Sequence, residues 1–91
     1  MTPLQIETTQ KVALSILESL LDAGDSGASG GVIYAALKTQ GATLNQYQSL
    51  MRSMENNDLV IKRWGNFIVT NKGINMIEKL KNKFQSNWVK L

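Results

Sequence analysis

The 91 residues contain no cysteine and no histidine. Without cysteine there is no disulfide and no thiolate metal site. Without histidine the chain lacks the usual general base, the commonest zinc ligand and the usual switch near neutral pH. The missing cysteine fits a reducing compartment, so a cytoplasmic protein is expected. Long apolar runs are missing too, and nothing approaches the ~20 residues of a membrane-spanning helix. The first ten residues, MTPLQIETTQ, have neither the basic segment nor the apolar core of a secretory signal.

The acidic residues are few and scattered. Asp22 and Asp25 follow a helix with no partner base, and Glu55 and Asp58 flank a helix stop. No nucleophile–base pairing and no carboxylate cluster emerges, so catalytic residues, metal ligands and a cofactor are not expected. A chain of this length forms one domain. It buries only about 60–65% of the surface of its unfolded form, which leaves little stability for buried catalytic machinery. Its 43% hydrophobic residues are ordinary for a folded domain.

What charge there is lies unevenly. Residues 1–51 carry Lys11 and Lys38 against Glu7, Glu18, Asp22 and Asp25, a net −2. Residues 52–91 carry Arg52, Lys62, Arg63, Lys72, Lys79, Lys81, Lys83 and Lys90 against Glu55, Asp58 and Glu78, a net +5. A basic half beside a mildly acidic one suits an anionic polymer; solvated surface lysine is the plainer alternative.

The pattern predicts a mostly α chain with a small β-hairpin, an α+β fold of about four helices. Thr2-Pro3-Leu4-Gln5 reads as a cap, a helical proline and a capping-box glutamine, opening a first helix over about 3–22. Ala13, Ile16, Leu17 and Leu20 form its apolar stripe, widened by Leu14 and Leu21. The four glycines of 24–31 are no phosphate loop, because no Lys-Ser/Thr follows them and a helix, not a strand, precedes them. They read as a loop with Ser29 capping a second helix over about 30–39, and Gly41 supplies the next turn. Thr43 and Gln46 form a capping box for a third helix over about 44–56, with Leu44, Tyr47, Leu50, Met51 and Met54 on one face. Asn56-Asn57-Asp58 stops it, because Asn tolerates the left-handed conformation. Two β-rich runs around Trp64-Gly65 make a tight hairpin over 59–70. Thr70 then caps a last helix over about 71–90, long for such a chain and apolar along Ile74, Ile77, Leu80, Phe84, Trp88 and Leu91.

Helix, turn, helix, hairpin, helix is the order of a winged helix, in which the second helix of the pair enters a DNA groove. Asn45, Gln46, Gln48, Ser49 and Arg52 occupy the polar face of the third helix. Asn and Gln pair bidentately with adenine, and Arg with guanine or phosphate. Equally, polar residues are expected on the outer face of any surface helix, and Gln46 is needed for its own cap. Lys62, Arg63, Trp64 and Asn66 gather at the hairpin tip, where cations suit phosphate. Trp64 either stacks on a partner or folds back over the domain's own core. Lys72 adds a cation where the last helix begins. Leu14, Leu21, Phe84, Trp88 and Leu91 form the expected dimer interface; the alternative is that the terminal helices pack on each other.

The stretches SGGVIYAAL, LNQYQSLMRSMENNDLV and FIVTNKG resemble the winged helix-turn-helix family, and in particular small bacterial and phage proteins with a GxLYAAL … LxxYxxxxxxLxxxGLV layout. TNKG is similar to the LTxKG that opens the last helix of MarR- and PadR-type regulators. The likeness covers about half the chain. It implies core positions at Ile33, Leu37, Tyr47, Leu50, Met54, Leu59, Phe67 and Val69. It implies reading positions at Asn45, Gln46, Gln48, Ser49 and Arg52, and a wing at 62–66. Asp58 stands where the family pattern has glycine, the wing is shorter than in many MarR-type proteins, and the helices that build an effector pocket in larger regulators are absent. The resemblance therefore implies a small transcriptional regulator on double-stranded DNA and does not imply a small-molecule ligand, while the two long apolar helices point to a homodimer. The other expectation is a winged-helix protein-interaction or dimerisation module that binds no DNA.

Overall fold

Apolar residues at helical spacing produce a long first helix, α1 (Pro3–Ala23), whose Ile16, Leu17 and Leu20 are buried. The computed structural model describes the backbone of residues 3–89 and the side chains of residues 8–84. The expected Thr2 cap lies outside these residues. After α1 a single 3-10 turn (Gly24–Ser26) leads into a two-residue strand, β1 (Ala28–Ser29), then α2 (Gly30–Lys38) and α3 (Leu44–Asn56). The hairpin strands β2 (Val60–Arg63) and β3 (Asn66–Val69) follow, and α4 (Asn71–Val89) completes the order. The fold is mostly helical, four α-helices around a small antiparallel sheet.

That sheet has three strands, in the order β1-β3-β2. Ala28 lies opposite Phe67 and Ser29 opposite Asn66. The glycine-rich pattern predicts a loop here, and the structure has a short paired strand instead. Two residues are too few to show alternation, and the pairing depends on Gly27 instead. At φ 69° it passes so close that a Cβ would lie 2.4 Å from the Phe67 carbonyl oxygen. Ser29 ends the strand and caps α2 as expected, its hydroxyl accepting the Val32 amide at 3.2 Å.

The helix ends follow from backbone chemistry. At the end of α2 the amide of Ala42 donates to Leu37 and that of Gly41 (φ 89°) to Lys38. At the end of α3 the amide of Leu59 donates to Met54 and that of Asp58 to Glu55. Both are Schellman closures, in which one left-handed residue turns the chain. In the second it is Asp58 (φ 60°), not an asparagine. Asp58 holds this left-handed position because its short polar side chain tolerates that conformation. Asn57 caps instead, its side-chain amide donating to Ser53.

Thr70 joins the hairpin to α4. Its hydroxyl donates to the Asp58 carbonyl (2.6 Å) and accepts the Gly73 amide (3.0 Å), while its own amide donates to Leu59 (3.0 Å). The core fills the space between: Ile33 and Leu37 of α2, Met51 and Met54 of α3, Leu59, Val60 and Phe67 of the hairpin region, and Ile77 of α4 close around the α1 stripe. Tyr47, Leu50 and Val69 are half-buried against it.

Trp64 and Gly65 form the hairpin turn with φ of 51° and 81°. Both values are positive, as a type I′ turn requires. Glycine accepts this freely. A bulky residue at left-handed φ costs roughly 1–2 kcal/mol.

Gly73 offers a test of the packing. A Cβ there would lie 2.2 Å from the Leu59 carbonyl oxygen and 2.7 Å from a Val69 methyl, so α4 would have to move away from the hairpin. Gly73→Ala should destabilise the fold by about 2 kcal/mol and lower Tm by roughly 10 °C. Gly31→Ala, in open space on α2, should leave Tm unchanged or raise it.

Candidate nucleic-acid interface

Because of its capping box, α3 begins rigidly. The Thr43 hydroxyl accepts the Gln46 amide at 3.1 Å, and the Gln46 side-chain oxygen accepts the Thr43 amide at 2.9 Å. Beyond the cap, Asn45, Gln48, Ser49 and Arg52 are all exposed. Gln46 is exposed as well, but its oxygen is held. A bidentate pairing with adenine needs oxygen and nitrogen together, so Gln46 can offer only its NH2 while the cap persists.

The hairpin's register sorts its side chains between two faces. A two-residue turn sets Arg63 opposite Asn66 and Lys62 opposite Phe67. Val60, Lys62, Phe67 and Val69 therefore share the face that meets the core, and Ile61, Arg63, Asn66 and Ile68 the other. Lys62 lays its ammonium 5.6 Å from the Phe67 ring centroid. From there it faces an open cleft of about 340 Å³ between α3 and the hairpin. Gln48, Arg52 and Glu55 line one wall, Lys62 and Gly65 the other, and Tyr47 and Phe67 the floor. Gln48, Arg52 and Glu55 follow one another at helical i, i+4, i+7 spacing, a signal in the sequence that could have added Glu55 to the site.

The structure thus joins Gln48, Arg52 and Lys62 and leaves the other expected residues elsewhere. Arg63 is exposed but lies on the opposite face of the ribbon. Asn66 is half-buried, and its amide donates to the Ser26 carbonyl at 3.0 Å, so it ties the hairpin to the turn after α1 instead of sitting free at the tip. Lys72 is exposed in the first turn of α4, outside the cleft lining. Trp64 is 97% exposed, which excludes its folding back over the core.

Tyr47, expected only as a core residue, also belongs to the cleft. Its ring is tilted against that of Tyr34 with centroids 5.3 Å apart. Gly30 lets it approach, since a Cβ there would lie 2.7 Å from the Tyr47 hydroxyl. Burial, and secondarily the Glu55 carboxylate, push the Tyr47 hydroxyl above the ordinary phenol range.

The expected dimer residues divide. Leu14 packs half-buried against the chain's own core. Phe84 lies half-buried between Lys11 of α1 (5.4 Å) and Lys83 (5.7 Å), and the Lys83 ammonium donates to Gln10, so this part of α4 is stitched to α1. Leu21 is 42% exposed. The side chains of Trp88 and Leu91 lie outside the described residues. Among the described residues, no helix is long and apolar enough to cross a membrane.

No family model, curated protein or solved structure matches the chain.

The raised Tyr47 pKa has a measurable consequence. The folded chain keeps the phenol proton where the unfolded chain has lost it. That contribution to stability is fully present below pH about 10 and disappears as pH rises through the folded value. Thermal melts taken as pH increases through this range should show a shallower fall in Tm for Tyr47→Phe than for the wild type.

Proposed function

We propose that the chain is a winged helix-turn-helix protein that binds double-stranded DNA, with α3 in the major groove and the β2–β3 hairpin as a wing on the backbone. The observation that carries this reading is the meeting of Arg52 from α3 and Lys62 from β2 at one open cleft, beside the exposed amides of Asn45 and Gln48. The order of elements supports it: two short helices joined by a tight turn, then a hairpin whose inner strand also pairs with a segment ahead of α2. A helix of 13 residues is about 20 Å long and fits a groove ~12 Å wide. A phosphate strand entering the cleft meets cations from both walls, and the base-reading amides stand on the next turn of α3. The net +5 of residues 52–91 adds long-range attraction.

In this reading the protein is a small cytoplasmic transcriptional regulator. A two-fold pair would set two α3 helices one DNA turn, about 34 Å, apart. Of the expected pairing residues whose side chains are described, Leu21 is the one that stands exposed. The competing reading is a protein-interaction module without DNA binding; the 97% exposure of Trp64, taken apart from its cationic neighbours, suits an anchor of that kind as well.

Salt titration separates the two. If Arg52, Lys62 and one further cation each neutralise a phosphate, affinity for random duplex should fall about 40-fold between 50 and 200 mM salt. Arg52→Ala combined with Lys62→Ala should weaken binding and flatten the log–log slope by about two. An affinity indifferent to salt, or to this double substitution, returns the chain to the interaction-module reading.

A further inference from the structure

Among the described residues nothing accounts for Trp64. At 97% exposure its indole packs on almost nothing, so the core does not need it. The turn does not favour it either, because a type I′ turn prefers asparagine before glycine and here a tryptophan is held at φ 51°. Backbone strain of this kind in a bulky residue, at the tip of a projecting hairpin, marks a position kept for contact with something else.

The surroundings define that contact. Lys62 and Arg63 precede the indole, and no carboxylate occurs between Val60 and Val69. The core of a protein interface admits arginine beside its aromatic anchors but is depleted of lysine and most other charge. Trp64 instead has cations and an asparagine as neighbours, and Ile61 is the one exposed large hydrophobic residue elsewhere in the hairpin. An aromatic plane among cations is the chemistry of a base-stacking platform with phosphate contacts beside it. In continuous duplex the faces of the bases are covered by stacking, so an indole finds a free face only where a base is unpaired or a step is opened.

We propose that Trp64 stacks on an exposed base face, and that the protein therefore prefers DNA with an unpaired or unstacked base, such as a fork or a single-strand junction, over continuous duplex. The proposal rests on the DNA-binding reading above. Lys62 and Arg63, on opposite faces of the ribbon, stand beside the two backbones that separate at such a junction.

The test uses the full chain and two labelled DNAs of the same duplex sequence, one blunt and one ending in an unpaired fork, compared by fluorescence anisotropy at a single salt concentration. The wild type should bind the fork at least about fivefold more tightly. Trp64→Tyr should keep most of that ratio. Trp64→Asn should bring it to one, and because Asn-Gly suits the turn this variant should melt no lower than the wild type. The fork should also quench indole emission in the wild type and not in Trp64→Asn. A wild-type ratio of one, or a ratio that survives Trp64→Asn, overturns the proposal. If blunt duplex is bound with steep salt dependence and the fork no better, only the stacking role fails. If neither DNA is bound at low salt, the DNA-binding reading fails and this proposal with it.

Discussion

The backbone of Leu59 fixes the geometry on which the cleft depends. Its amide closes α3 through Met54, and its carbonyl oxygen accepts the amide of Thr70 at the head of α4. Gly73 passes over that same oxygen with no room for a side chain. Three elements are thus referred to one residue. The hairpin cannot swing toward or away from α3 without breaking the Schellman closure, and it cannot swing relative to α4 without losing the Thr70 bonds. The separation of Arg52 and Lys62 is held by backbone hydrogen bonds, which place side chains more reliably than surface ion pairs do.

Much of this was legible in the sequence, because the strongest local signals coincide with the helix ends. Ser29, the Thr43–Gln46 pair and Thr70 each mark a start through a side chain that can accept an orphan amide, and all three do so. The two-residue turn at Trp64-Gly65 was equally plain, but the shared tip expected for Lys62 and Arg63 gives way to a register that sets them on opposite faces of the ribbon. What stayed hidden depends on contacts between distant segments. β1 is too short to carry a pattern and exists because β3 lies beside it. Asn66 reads as a tip residue until the turn at Ser26 comes within reach of its amide. The exposure of Trp64 could not be read from residue type, since an indole is as much at home in a core as on a surface.

The polar face of α3 shows how one side chain can be claimed twice. Gln46 stands among the outward amides but spends its oxygen on the helix start. Gln48, two positions beyond the box, has no such commitment and lines the cleft. The same capping chemistry that makes α3 rigid therefore takes one acceptor from its outward face and leaves Asn45, Gln48 and Arg52 as the uncommitted exposed groups there.

The strand order β1-β3-β2 puts β2 at the edge of the sheet. An edge strand offers unpaired amides and carbonyls to any other strand that drifts past, and Val60-Ile61 at its start is a β-prone pair. Lys62 and Arg63 complete that strand, and both are exposed. Charge on an edge is a natural guard against strand-on-strand aggregation, because a second copy would bring like charges together. These two cations therefore guard the edge in a way that involves no ligand at all. They keep the open margin of the sheet soluble, so a variant that trades them for apolar residues would be at risk of self-association even in the absence of any nucleic acid.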